Sequence, residues 1–349
     1  MTVLRPLLLL LLLLAVAACG RDSGPEDTAE TDTRGQTEGG TAEEIDAEAL
    51  AGEAEPVLEI ATELPAPATA VVASADNRLF VALRPNDDQT PSLVEINHNG
   101  EAVAWPDSSP PASGQAPHGI RALHIDDEGA LWILDATPRL LRVDLMQNEY
   151  TREINLDSAF PGTDHRPDGL GVDAELGVAY LIDGGQPGLV VLDMYTDEVR
   201  RMLEGTKVLR YDRGDSDGRA HMVLSPDLRY LVWQPPGSDD IYRLETEVMQ
   251  FTELPTAELL AMVEHFGSPG PVRALTMDPA GLLYVAVDED GRPTIVRIDH
   301  FATPETISHE AALANISAMG ATRGGELLIS TSGNETEAPQ LLRLLGAAR

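Results

Sequence analysis

From residue 56 onward, hydrophobic and polar positions alternate with a period near two rather than 3.6. The runs are short, β-rich and bounded by Gly, Pro, Asn and Asp. One unit recurs: a hydrophobic strand, a turn of Asp, Ser or Gly, and a second hydrophobic strand. It runs from residues 70–74 into 79–82, from 120–126 into 131–135, and from 169–173 into 179–183. It returns as 222–225 into 230–233, as 272–278 into 282–286, and as 316–320 into 327–330. Third strands follow several copies, at 140–144, 189–193, 241–244 and 294–298.

Six copies spaced by roughly 45 to 52 residues match the length of a four-stranded propeller blade. The pattern predicts an all-β, six-bladed β-propeller. A two-sheet sandwich gives no reason for six copies at that period. A ring must close to remove its edges, so residues 57–60 and 341–345 are expected to supply closing strands from the two ends. Residues 255–266 carry helical spacing and predict one short inserted helix. Trp132, Tyr180, Trp233 and Tyr284 read as repeat-equivalent packing residues rather than a stacking platform. Asp126, Asp173 and Asp278 fall in the strand turns, where a structural role is expected.

Ahead of the repeats the pattern changes twice. Arg5 precedes an unbroken leucine run at 7–14, continued by small residues at 15–18. That stretch is short for a permanent membrane span and suits a signal peptide. It ends Val16-Ala17-Ala18-Cys19, which resembles the bacterial lipoprotein lipobox. The resemblance implies cleavage before Cys19 and lipidation of that residue, several acyl chains together anchoring firmly. Residues 1–18 are thus expected to be a leader. Residues 19–55 read as a disordered acidic tether, with twelve acids against two arginines over 21–55 and few large apolar side chains. Residues 56–349 form the propeller. The expected location is the bacterial cell envelope, lipid-anchored and facing the periplasm or the exterior.

Composition narrows the function classes. Lys+Arg is 24 against Asp+Glu 58, a formal net charge of −34. Such a chain does not neutralise phosphates, so nucleic acid is excluded as a partner, as is adhesion to anionic lipid through a basic patch. The single cysteine excludes an intrachain disulfide framework and a cysteine zinc site. Lys207 is the sole lysine. An acidic, lysine-poor surface fits both a saline habitat and an arginine-favouring base composition. The sequence contains no P-loop, no Gly-x-Ser-x-Gly elbow and no His-Glu-x-x-His pair.

Two family resemblances follow from segments between and within the repeats. Residues 91–96, 122–135, 139–145, 171–173, 179–183, 189–193, 224–227 and 241–246, in that order and with the helix, resemble the major royal jelly protein and yellow family over about residues 64–332. That likeness implies a six-bladed propeller with a ligand pocket at its central channel, aromatic amines being the family-based guess. The chain departs from secreted animal members in having no propeller cysteines. Arg166-Pro167-Asp168-Gly169-Leu170-Gly171 is similar to the Asp-Gly segment of the gluconolactonase and senescence marker protein family. This second likeness implies a divalent metal, calcium among the candidates, on Asp168. The family's other ligands find Thr69 and Ala220 at the matching positions.

Inner strands begin at the channel, so the repeats in register place Thr69, His118 or Arg121, Asp168, His221, Arg273 and Ser317 around the axis. Arg121, Asp168, His221 and Arg273 are the candidate ligand-binding residues. Two arginines can grip a carboxylate through their planar forks, and a histidine can serve as base or metal ligand. Structural ion pairing among these residues is the competing expectation. Three functions stand: a monomeric exported lipoprotein binding a small molecule in its channel, a metal-dependent lactonase with metal on Asp168, and a scaffold that binds protein partners on its rim.

Overall fold

Six four-stranded antiparallel sheets make up the fold, each beginning with a strand at the axis. The computed structural model describes residues 56–84, 90–210, 218–250 and 254–347. The expected leader, Cys19 and the acidic tether lie outside the described residues. The six inner strands are Ala68–Ala73, Ala122–Ile125, Pro167–Asp173, His221–Leu224, Val272–Met277 and Ile316–Ala321, defining blades 1 to 6. Each touches the inner strands of both neighbours, and Ile316–Ala321 returns to Ala68–Ala73 to complete the ring.

Closure is made by the two ends of the described chain. Val57–Glu63 is the outer strand of blade 6 and pairs antiparallel with Gln340–Leu345, Val57 opposite Leu345. This leaves no unpaired sheet between first and last blade, as the sequence predicts.

Packing between blades is apolar and buried. Leu131, Ile133 and Leu141 of blade 2 are fully covered against Phe80 and Leu93 of blade 1. Burying such a side chain stabilises the fold by roughly 1.5–3 kcal/mol. Two glycines let inner strands approach each other. A Cβ at Gly320 would lie 2.4 Å from the Val71 carbonyl oxygen, and one at Gly171 would lie 2.7 Å from the Leu224 Cβ.

The turn between first and second strands repeats with one informative variation. Ser74, Asp126, Ser225, Asp278 and Thr322 each receive the backbone N–H that opens the second strand: Arg78, Ala130, Tyr230, Leu282 and Glu326. Asp173 receives the N–H of Leu176 inside its turn. Where the turn residue is Asp126 or Asp278, its second oxygen accepts from Trp132 Nε1 at 2.7 Å or the Tyr284 hydroxyl at 3.2 Å. Where it is a hydroxyl, the facing core residue is Phe80, Val232 or Leu328, which has no polar tip. A carboxylate offers two separate oxygens, one for the turn and one for the aromatic partner, whereas a hydroxyl has a single oxygen and it stays at the turn.

Two expectations need correction. Residues 255–266 do not form one helix. Helices Thr246–Gln250 and Thr256–Met262 are separate, and Glu264–Gly267 is the outer strand of blade 4, pairing with Ile241–Glu245. Val263 is already extended (φ −69°, ψ 123°), because blade 4 needs its fourth strand there. Trp233 is not equivalent to Trp132, Tyr180 and Tyr284. Counted from the turn bond at Tyr230, it lies one residue further along, and Val232 holds the equivalent place. A one-residue step reverses the face. Trp233 therefore packs with Tyr180 of blade 3, while Val232 faces blade 5.

Candidate functional site

A cavity of about 690 Å³ runs along the axis and is lined by all six inner strands. Its entrance is built by a repeated irregularity. Pairing between first and second strands skips one residue in blades 1, 3, 5 and 6, at Thr69, Asp168, Arg273 and Ser317. A bulged residue leaves the ladder and re-aims its side chain, and bulges gather at such rims. Arg121 takes the matching place in blade 2, ahead of Ala122 paired with Leu134. In blade 4 the place belongs to Ala220, since His221 already pairs with Gln234. All six of these residues line the cavity.

His221 thus sits one step further along the channel than the ring reading of the sequence places it. The positions equivalent to it hold Ala70, Ala122, Gly169, Ala274 and Ala318. A side chain substituted for alanine or glycine at this register projects an imidazole onto the channel wall. Burial, reinforced by the nearby charge of Arg219, pushes the imidazole down to about 3, so it is neutral at ordinary pH.

Arg219 is the residue that sequence reasoning missed. It lies two positions before His221, where the other blades hold Ala68, Ile120, Pro167, Val272 and Ile316. Blade 4 is diametrically opposite blade 1. The Arg219 guanidinium crosses that gap, donating to the Thr69 carbonyl of blade 1 at 3.3 Å and to the Arg121 carbonyl of blade 2. Its Nε and that of Arg121 are buried without a hydrogen-bond partner. Burial holds Arg219 below the usual guanidinium range; Asp168 opposes this and Arg121 adds to it. It stays a cation nonetheless, as arginine does in proteins. An aligned reading of the repeats carries the signal, a charge at a position that five blades fill with apolar residues.

Asp168 is 4% exposed and accepts hydrogen bonds at both oxygens. It accepts from Arg166 Nε at 3.0 Å and from the Ala220 backbone N–H at 3.0 Å. Burial pushes its carboxyl up, and Arg166, the Ala220 N–H and Arg219 pull the other way. Arg166 also reaches the Gly218 carbonyl at 2.7 Å. A Cβ at Gly184 would lie 2.0 Å from the Asp168 carboxylate, so glycine is required there.

Arg273 lines the rim, but its guanidinium turns outward to Asp288 of its own blade, with Nε at 3.0 Å from the carboxylate. His118 is exposed in a loop, and its backbone N–H donates to Asp135. Of the predicted site residues, Arg121, Asp168 and His221 come together at one end of the channel and Arg273 stands at its edge.

The donor set around Asp168 does not fit a calcium ion. Calcium takes six to eight oxygens, several of them carboxylate. Asp168 is instead flanked by guanidinium groups, its oxygens already accept hydrogen bonds, and the described residues contain no cluster of three or more His, Cys, Asp or Glu side chains. A further grouping of Ser268, His265 and Asp240 lies on the outer edge of blade 4. Both Ser268 Oγ (3.0 Å) and Asp240 (3.2 Å) meet the same ring nitrogen, Nε2 of His265. A nucleophile and an orienting acid need opposite nitrogens, so this is not an acyl-transfer triad.

Compared with known protein families and with curated proteins, the chain matches none. Among solved structures it is similar to a Bacteroides thetaiotaomicron protein of unknown function, at TM-score 0.59 and 10% identity, covering 83% of this chain and 76% of that one. It is also similar to a calcium-binding protein, regucalcin, from Agrobacterium tumefaciens, at TM-score 0.54 and 12% identity, covering 82% and 92%. A streptogramin B lyase matches at TM-score 0.51 and 12% identity, covering 83% and 98%. At these identities the likeness carries the six-bladed propeller fold and no activity.

Proposed function

We propose that this chain is a monomeric, exported lipoprotein of the bacterial envelope, anchored through Cys19, whose propeller binds a small molecule in its axial channel. The observation that carries the reading is the cavity of about 690 Å³, within the size range of ligand pockets, with Arg121, Arg219 and His221 converging at one end. The ordered likeness to the major royal jelly protein and yellow family supports the same place for a ligand. The lactonase alternative depends on a metal at Asp168, and the guanidinium groups beside that carboxylate argue against it.

Two experiments test this. Native mass spectrometry after exposure to a small-molecule extract is expected to find a bound component. Ala70→Trp, which fills the channel opposite His221, is expected to lose it; retention in that variant places binding elsewhere. Cys19→Ser is expected to move the protein from the membrane fraction to the soluble one, and an unchanged distribution removes the lipid anchor.

A further inference from the structure

We infer that the channel ligand is a small carboxylate with an apolar body, its carboxylate lying between Arg121 and Arg219. The inference rests on the channel reading above and names the ligand class. Charge carries it first. On a chain of net charge −34, the channel wall carries at one end the guanidinium groups of Arg121 and Arg219, which repel each other. Their local carboxylate, Asp168, is buried and satisfied by Arg166 and a backbone N–H. Buried charge in excess of its partners calls for a counterion. Free donor capacity points the same way, since the Nε atoms of Arg121 and Arg219 are both unpartnered.

The wall supplies the second half. Beyond the arginines the cavity is lined by Met222, Leu275, Met277 and Met319. Methionine side chains adapt to irregular apolar shapes. The neutral imidazole of His221 stands between the two regions and can hydrogen-bond a ligand without adding charge. An amine, the guess that the family likeness suggests, would bring a cation into this cluster. An α-amino acid would carry its ammonium into the same ring of guanidinium groups. A bare inorganic anion would leave the apolar wall unused.

Three probes separate these classes: phenylacetate, phenethylamine and sulfate. The first two share a body and differ in charge, and the third has charge without a body. Each is titrated into the full-length chain in detergent at fixed ionic strength, with ¹³C-methyl methionine labelling. Phenylacetate is expected to shift the Met222, Met277 and Met319 methyl signals at one site, and to bind at least tenfold more tightly than phenethylamine. Arg121→Gln is expected to weaken phenylacetate at least tenfold, while Arg142→Gln, on the outer surface, changes it less than twofold.

Phenethylamine binding equally well at those methionines overturns the ligand class and leaves the channel reading standing. Sulfate binding as tightly as phenylacetate overturns the apolar body. No methionine shift with any probe overturns both the ligand class and the channel as a small-molecule site. The ligand comparison needs no substitution, so it decides the question even if Arg121→Gln fails to fold.

Discussion

Arg219 and Thr69 face each other across the propeller axis, and the guanidinium of the first donates to the carbonyl of the second at 3.3 Å. A second bond from the same group, to the Arg121 carbonyl, ties blade 4 to blade 2 as well. Most contacts in a propeller join adjacent blades, so a strut between opposite blades fixes the shape of the channel mouth. It also holds a charge where only a hydrogen-bonded cation is tolerated.

Removing the strut has a definite expected cost. Hydrogen bonds from charged donors contribute roughly 1.5–3 kcal/mol each, and relief of guanidinium burial returns part of that. Arg219→Ala is therefore expected to destabilise the fold by about 1–2 kcal/mol in denaturant unfolding. A variant as stable as the parent would mean that the strut contributes nothing net.

Closure of the ring between blades 6 and 1 depends on one missing Cβ. At Gly320 that atom would sit 2.4 Å from the Val71 carbonyl, a backbone group that moves only with its strand. Gly320→Ala is expected to cost about 1–3 kcal/mol, the usual range for overpacking. Gly324→Ala, whose Cβ would have nothing nearer than 3.7 Å, is the matched control and should be close to neutral. Equal melting temperatures for the two variants would refute the argument.

The outer strand Val57–Glu63 covers the edge of Gln340–Leu345. A chain starting at residue 64 leaves that edge unpaired and exposes the buried Leu342 and Leu344. It is expected to lose cooperative thermal unfolding and to associate, as open edges do. A monomeric, sharply melting truncation would show that ring closure is dispensable.

Surface charge makes a separate prediction. With a formal net charge of −34, like charges repel throughout the folded surface. Screening shortens from about 10 Å at 0.1 M salt to about 3 Å at 1 M, so added KCl should raise the melting temperature. A fall instead would mean that pairs such as Arg139 with Asp135 and Glu153 outweigh the repulsion.

How much of this was legible in the sequence follows from what repeats and what does not. Six strand–turn–strand units at one spacing gave the blade count, and terminal runs without partners of their own gave the closure. Residues 264–267 read as helix because their spacing is helix-compatible, while their strand role is imposed only by the fourth-strand edge of blade 4. The aromatic match of Trp233 to Trp132 hides a one-residue register step counted from the turn. In the site, Arg121 and Asp168 were found through register. His221 is likewise a candidate from the sequence, one step off the place assigned to it, and Arg219 is the departure visible only when all six repeats are aligned position by position. Arg273 illustrates the remainder: a long side chain at the right place turns to whichever carboxylate is near, here Asp288.

His221 carries the clearest pH signature. Its imidazole is pushed from 6.5 down to about 3, first by burial and then by Arg219. A histidine whose folded value is depressed contributes stability that is present above its unfolded value and lost as pH falls towards the folded one. The parent and His221→Gln should therefore keep a constant stability difference above about pH 7. Below about pH 6.5 the parent should lose ground by up to about 1.4 kcal/mol per pH unit. His124, also depressed by burial, titrates alike in both proteins and cancels in the difference. Chemical denaturation of the pair at steps between about pH 7.5 and pH 4.5 measures it directly. A flat difference would mean that the imidazole is not held neutral. A difference that moves in the parent's favour as pH falls would mean that it gains a proton in the folded state, which the arginines beside it should forbid.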